Sequence, residues 1–249
     1  MGKLAGERRA LAAAVIGFYM SIFFLMSFLA PEGLGPAFGG LAGVYGAAFF
    51  GIVAGYFWAR WFAIGIGISG LISAIMSIWQ IGPEPMLVIY GATHAAASLV
   101  LWGGKMSEMF DGRPEWRTRF HLDEHATNRL GKSVIRVGVS LPYIVLYALA
   151  PRESAMTGAM IALGLAGAGA WALFRMRTWG ILAIGGAALA TATTLSSTQP
   201  LSLRLASNHT GSLHLDLMFL GIAATLLLAA AVAPFLAPAT KYVRRSDEP

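Results

Sequence analysis

Long apolar runs separated by short polar turns are the main pattern along this chain. A helix needs about 20 mostly apolar residues to cross a hydrocarbon core of about 30 Å. Eight segments come close to this length, which predicts an all-α polytopic membrane bundle of about eight transmembrane helices. The predicted spans are Ala10 to Ala30, Ala37 to Trp58, Phe62 to Gln80, Met86 to Gly104, Val134 to Ala150, Ala155 to Phe174, Trp179 to Ser196 and Leu215 to Leu236.

Two stretches of the chain repeat the same order of residue types. FWARWFAIGIG runs from residue 57 to 67, and LFRMRTWGILAIGG runs from 173 to 186. One helix earlier, the chain reads FLAPE at 28–32 and ALAPRE at 148–153. This correspondence predicts two four-helix repeats, and because each has an even number of spans the repeats are parallel.

The charged residues, which cluster between and after the two repeats, separate the chain into four parts. We assign residues 1–104 to the first four-helix unit and 133–240 to the second. Residues 105–132 form a charged cytoplasmic loop, in which WRTRFHL at 116–122 indicates an amphipathic interfacial helix. Residues 241–249 form a basic cytoplasmic tail.

Small residues recur at every fourth position of the second predicted span. This small-residue stripe consists of Gly39, Gly43, Ala47, Gly51 and Gly55. Similar series occur in the third and sixth spans. Because small residues let helix backbones approach closely in lipid, we expect these three spans to form the packed centre. The alternative interpretation is that such a stripe lines a path for a solute.

Composition and charge agree with a membrane location. The chain is 57% hydrophobic and 12% charged, with a mean hydropathy of +0.66, which excludes an ordinary soluble globule. The net charge is +6, and with the N-terminus inside, all 18 Lys and Arg except Arg152 and Arg204 lie on the cytoplasmic side. We therefore expect an integral protein of the bacterial inner membrane with both termini cytoplasmic. Its expected partners are the bilayer, anionic lipid head groups and other membrane proteins, and nucleic acid is excluded.

Arg60 and Arg177 occupy the matching corners of the two units. An arginine head group reaches the lipid phosphates while its apolar stem and a nearby Trp stay at the interface. We expect both arginines to anchor their hairpins at the cytoplasmic surface.

His94 is the predicted intramembrane site, because ionisable groups at membrane depth are costly and mark function by default. Tyr90 and Ser98 lie one turn away on either side and complete a polar stripe on the fourth span. The three residues are candidates for binding a ligand or carrying a proton. The structural alternative is a neutral histidine hydrogen-bonded to a neighbouring helix.

A second candidate site lies at the outer face, where His209, His214 and Asp216 gather two imidazoles and a carboxylate. The alternative is a solvated helix cap. HLDEH at 121–125 matches the H-x-x-E-H pattern of inverzincins, but the short loop supplies no third protein ligand. Haem is disfavoured because it would need a second histidine at the depth of His94. No metal, cofactor or catalytic residue is predicted.

Three functions are compatible with these features. The favoured one is a non-enzymatic accessory or scaffold subunit of a larger membrane assembly. The alternative is a transporter or permease for a small hydrophobic solute, with a path between the units near His94, Tyr90 and Asp216. A third is a membrane-embedded lipid or quinone enzyme with His94 as general base. Pro142 discriminates between the first two: a fifth helix broken beside His94 favours transport, and a bent lipid-facing helix favours the subunit.

Overall fold

A computed structural model describes residues 3–31, 33–111, 124–152, 154–196, 202–207 and 211–246. Nine helices and one two-stranded antiparallel hairpin are present in this part of the chain. They are α1 (Lys3–Leu29), α2 (Gly35–Ala54), α3 (Ala59–Ile81), α4 (Pro85–Leu101), α5 (Gly104–Asp111), α6 (Glu124–Leu149), α7 (Met156–Phe174), α8 (Trp179–Leu195), β1 (Ser202–Ser207), β2 (Ser212–Asp216) and α9 (Leu217–Ser246).

The predicted all-α character is confirmed, with the hairpin as an unpredicted addition. All eight predicted spans fall on helices, but length and composition support fewer crossings. Six helices in the described residues are long and apolar enough to cross a membrane, and α4 with α5 makes a seventh if this pair, bent by 74°, counts as one span. Helix α8 has 17 residues and rises about 25 Å, which is shorter than a typical span.

Each half of the chain closes into a ring of four helices. In the first unit, α1 and α3 each pack against both α2 and α4. In the second unit, α6 and α8 each pack against both α7 and α9. The two rings meet where α6 packs against α2 and α3.

Helix α6 is the most enclosed of the candidate spans, because it packs on its own unit and on the first unit. In its most apolar window 72% of the residues are buried, compared with 39% in α7. A Cβ atom at Gly138 would lie 2.7 Å from the carbonyl oxygen of Phe62, so the backbones of α6 and α3 touch. The sixth span was therefore wrongly expected at the centre, since the fifth span takes that place.

Pro142 lies in the buried part of α6, which runs without interruption from Glu124 to Leu149. It does not break the helix, and the helix does not face lipid there. Neither of the two situations expected for Pro142 is present, so this residue does not discriminate between the functions.

Two ends of the bundle can be named from contacts. At the corner end, Trp58 stacks on Phe174, and the position of Gly131 in α6 lies against the ring of Trp61. At the hairpin end, Gly33 packs on Pro151, and Gly211 packs on the end of α3. Both units therefore start at the corner end, and the two arginine corners lie on the same side of the molecule.

The segment between the units is partly helical. Helix α5 lies across the corner end and buries Met106 and Phe110, while Lys105 and Glu108 are exposed. Helix α6 begins about ten residues before the predicted Val134. The predicted interfacial helix at 116–122 and most of HLDEH lie outside the described residues.

Candidate functional site

His94 lies at the centre of the first unit, where its side chain is 2% exposed. Its Nδ1 is 2.8 Å from the Tyr90 carbonyl oxygen and its Nε2 is 2.8 Å from the Tyr45 hydroxyl. Because a carbonyl only accepts, Nδ1 carries the hydrogen and Nε2 accepts from Tyr45. Both ring nitrogens are thus engaged in one tautomer of the neutral imidazole.

Aromatic rings from three helices surround the imidazole. The ring centroids of Tyr90, Tyr19 and Tyr45 lie 4.1, 4.3 and 5.8 Å from that of His94. On the remaining side is Gly70 of α3, where a Cβ atom would overlap the imidazole. All four helices of the first unit therefore meet at His94.

Ser98 lies further along α4 and pairs with a different helix. It is buried, and its hydroxyl donates to the Ile64 carbonyl of α3 at 3.1 Å. Towards the hairpin end, the Tyr19 hydroxyl is 2.7 Å from that of Thr93. Within the predicted stripe, His94 and Ser98 thus bond to neighbouring helices, and the Tyr90 ring packs against the imidazole. A ligand role for His94, Tyr90 and Ser98 stays a prediction, and a ligand of His94 would have to replace one of its two bonds.

Sequence reasoning did not find Tyr19 and Tyr45. Both are buried tyrosines within apolar stretches of their helices, at 6% and 2% exposure. A hydroxyl within a span needs a polar partner, so an intramembrane tyrosine is a signal that could have linked them to His94.

The candidate outer-face site is not assembled among the described residues. Asp216 accepts hydrogen bonds from the backbone N–H groups of Met218 and Phe219 at 2.8 and 3.2 Å, which makes it the N-cap of α9. His214 is exposed on β2, and its backbone N–H donates to the Gln80 side chain. His209 lies outside the described residues, within which no group of three His, Cys, Asp or Glu could hold a metal.

The two predicted anchors have different surroundings. Arg60 is half-buried, and its guanidinium donates to the Ser107 hydroxyl at 3.1 Å and approaches the Leu101 carbonyl at 3.5 Å. Arg177 is exposed in the turn before α8. Arg60 therefore fastens α3 to the end of α4 and to α5, whereas the anchoring of either arginine in lipid stays a prediction.

Arginines at the start of α1 bind the ends of two neighbouring helices. Arg8 donates to the carbonyls of Val100 and Trp102 at 2.8 and 2.6 Å. Arg9 donates to those of Ile52 and Val53 at 2.9 and 2.7 Å. The last carbonyls of a helix have no partner within it and carry partial negative charge, so these cations stabilise the ends of α4 and α2.

A groove opens between α1 and α2 on the outside of the first unit. It has a volume of about 480 Å³, and its lining is almost entirely apolar. Gly43 and Ala47 are exposed in it, and a Cβ atom at Gly43 would reach open space. The stripe on α2 was expected to be packed, but only Gly51 is closely covered, by Trp58 and Ala59.

The long apolar helices indicate an integral, multi-pass membrane protein. The buried polar side chains in the described part of the chain are Ser69, His94, Ser98, Ser133, Ser140, Thr191 and Thr194. Comparison of the chain with protein-family models, curated protein sequences and solved structures returns no match.

Proposed function

We propose that this protein is a non-enzymatic subunit of a membrane assembly that holds a helix of its partner in the groove between α1 and α2. The observation that carries this proposal is the exposure of the small-residue stripe at Gly43 and Ala47. Small residues four apart lie on adjacent turns of a helix, and a second membrane helix can pack onto them with close backbone approach.

The surroundings of the groove support a helical partner. Met20 and Phe24 of α1 and Phe50 of α2 border the stripe, and both phenylalanines are largely exposed. Such side chains supply adaptable dispersion contacts around a close crossing. Helix α1 is also the least covered of the six candidate spans, with 17% of its most apolar window buried.

The hydrogen bonds of the buried polar side chains support a structural role for the interior. His94 pairs with Tyr45, Ser133 with the Ala231 carbonyl, and Tyr147 with Thr194. Each bond joins two helices of the same unit. A base at His94, as a lipid or quinone enzyme would need, requires Nε2 to be free of the Tyr45 hydroxyl.

In the proposed topology the chain crosses the inner membrane of a bacterium eight times, as two parallel four-helix repeats. Helices α4 and α8 complete the count, with α5 lying at the interface. The corner end faces the cytoplasm, since Arg8, Arg9, Arg60 and Arg177 gather there. Anionic lipid head groups are the expected partners of Arg177, which is the exposed arginine among them.

Purification in mild detergent followed by native mass spectrometry tests the proposed subunit role. Wild type should retain a membrane-protein partner at fixed stoichiometry, and Gly43→Leu should lose it because the side chain fills the groove. Gly164→Leu is the matched control, since Gly164 is an exposed glycine in α7 whose Cβ would also reach open space. Loss of the partner from both variants, or from neither, contradicts the proposal.

Transport is the second candidate, and a polar seam between the units favours it. The buried hydroxyl of Ser69 on α3 has no hydrogen-bond partner in the described part of the chain. The Tyr143 hydroxyl of α6 is 3.4 Å from that of Ser73 and 3.5 Å from the Ser69 carbonyl. A solute path would therefore follow α3 and α6, whereas His94 lies inside the first unit and Asp216 caps α9.

Cysteine labelling separates the two functions, because the natural chain has no cysteine. A water-lined path makes Ser69→Cys reactive towards a small hydrophilic thiol reagent in membranes. A packed subunit core leaves it unreactive, with half-exposed Ser212→Cys at the hairpin as the positive control.

A further inference from the structure

Arg152 is a half-buried arginine at the hairpin end of the second unit. It lies in the turn between α6 and α7, next to Pro151, which packs against Gly33 of the first unit. All three guanidinium nitrogens are buried, and none forms a hydrogen bond within the described part of the chain. The guanidinium carbon lies 4.4 Å from the centroid of the Tyr147 ring.

Tyr147 provides a fixed platform for this cation. It is fully buried, and its hydroxyl lies 3.0 Å from that of Thr194 on α8. A Cβ atom at Gly221 would lie 2.7 Å from the Tyr147 ring, so α9 closes on the ring from another side. Three helices of the second unit therefore hold the ring that faces Arg152.

Among the side chains that the structure describes, the other half-buried arginines have oxygen partners. Arg8 and Arg9 donate to helix-terminal carbonyls, and Arg136 donates to the Ala230 carbonyl at 2.8 Å. Arg152 has five N–H donors and a positive charge removed from water, and contact with one aromatic face satisfies no N–H group in its plane. An uncompensated buried charge of this kind needs an anionic partner.

We propose that Arg152 and Tyr147 form a binding site for an anionic oxygen-bearing group, a phosphate or a carboxylate. The planar guanidinium offers parallel N–H groups that match two oxygens of such an anion. Tyr147 contacts the guanidinium from its face, so a ligand would meet the N–H groups in the guanidinium plane. At the end of a membrane bundle the anion comes either from a lipid head group or from a soluble oxyanion.

Thermal unfolding of the full-length protein in a non-ionic detergent tests this site. Inorganic phosphate is titrated at constant ionic strength in one series, and a short-chain phosphatidylglycerol in the other. Wild type should gain about 5 °C or more in Tm at a concentration near 100 times Kd in at least one series. A gain with phosphate assigns a soluble oxyanion, and a gain with the lipid alone assigns a head group.

Two variants test whether the gain in Tm depends on Arg152. Arg152→Gln should lose the gain and, without added anion, be at least as stable as wild type, since it removes an unpaired buried charge. Arg175→Gln is the matched control, since the Arg175 guanidinium carbon also lies over an aromatic ring, 4.5 Å from the centroid of Trp171. Because Arg175 is exposed to solvent, its substitution should leave the gain in Tm unchanged.

The proposal is overturned if neither anion raises the Tm of wild type, or if Arg152→Gln gains as much as wild type. If Arg152→Gln does not fold, Arg152→Lys replaces it in the same titrations. This variant keeps the charge but loses the paired N–H groups, and equal gains in Arg152→Lys and wild type also contradict the proposal.

Discussion

The indole ring of Trp58 lies against the phenyl ring of Phe174, with centroids 3.9 Å apart and planes 8° apart. Phe62 meets the same phenyl ring edge-on at 5.1 Å. These contacts join the two arginine corners, which share an order of residue types in the sequence. Because the corners touch, the turns that carry Arg60 and Arg177 must lie on one side of a membrane.

This contact leads to a prediction about topology. Arg177→Cys should be protected from an impermeant thiol reagent applied to intact cells, because we place the corner end in the cytoplasm. Ser212→Cys at the hairpin end should react under the same conditions. Permeabilised cells give the control for reactivity of Arg177→Cys. Labelling of Arg177→Cys but not of Ser212→Cys in intact cells would mean that the proposed orientation is reversed. Labelling of both variants in intact cells would mean that the bundle does not span the membrane.

The Tyr45–His94 hydrogen bond should contribute measurably to stability. Tyr45→Phe leaves the buried Nε2 of His94 without its donor, which should lower the free energy of unfolding by about 1–3 kcal/mol. Tyr56→Phe is the matched control, since Tyr56 is exposed near the end of α2, and a change within about 0.5 kcal/mol is expected. Chemical unfolding in detergent measures both. Equal effects of the two substitutions would show that the bond contributes nothing specific.

Glycines in two helices should respond to alanine in opposite directions. Gly70→Ala places a methyl group against the imidazole of His94 and should destabilise the first unit by about 1–3 kcal/mol. Gly43→Ala meets open space and should be neutral or stabilising by up to about 1 kcal/mol, because alanine favours the helix. Thermal unfolding of the two variants checks the difference. A larger loss in Gly43→Ala would restore the packed interpretation of the α2 stripe.

Arg136 and Pro234 should be coupled. Proline at 234 has no N–H for the Ala230 carbonyl four residues earlier, and the Arg136 guanidinium donates to that oxygen instead. Arg136→Gln should therefore cost about 1–3 kcal/mol in wild type and clearly less in a Pro234→Ala background, where the helical bond can form. A double-mutant cycle of unfolding free energies measures the difference. Additive changes in the free energy of unfolding would mean that the stabilisation by Arg136 does not depend on Pro234.

The sequence carried enough information to locate the helices, because the length of an apolar run is a local property. It did not reveal which helices are neighbours. The pairing of His94 with Tyr45 depends on the contacts of α4 with α1, α2 and α3, and sequence spacing cannot supply these. The stripe at Gly43 and Ala47 shows the same limit, since a period of four marks a face of α2 without saying what covers it.

The hairpin at β1 and β2 was missed for a different reason. Its residues lie in a short polar stretch between two apolar runs, where a loop was expected. The strand pairing of Arg204 with His214 and the bond from His214 to Gln80 of α3 are non-local. Asp216 was the exception, because a carboxylate before an apolar run is a local signal for a helix cap, and that alternative is the one found.

Site-specific photo-crosslinking in native membranes tests the central claim most directly. A photoreactive amino acid at Ala47 lies in the groove, whereas one at Gly164 lies on an exposed face of α7. The proposed subunit role predicts a single protein adduct from Ala47, lost in Gly43→Leu, and no such adduct from Gly164. Adducts to lipid alone at Ala47, or the same protein adduct from both positions, would contradict a partner helix in the groove.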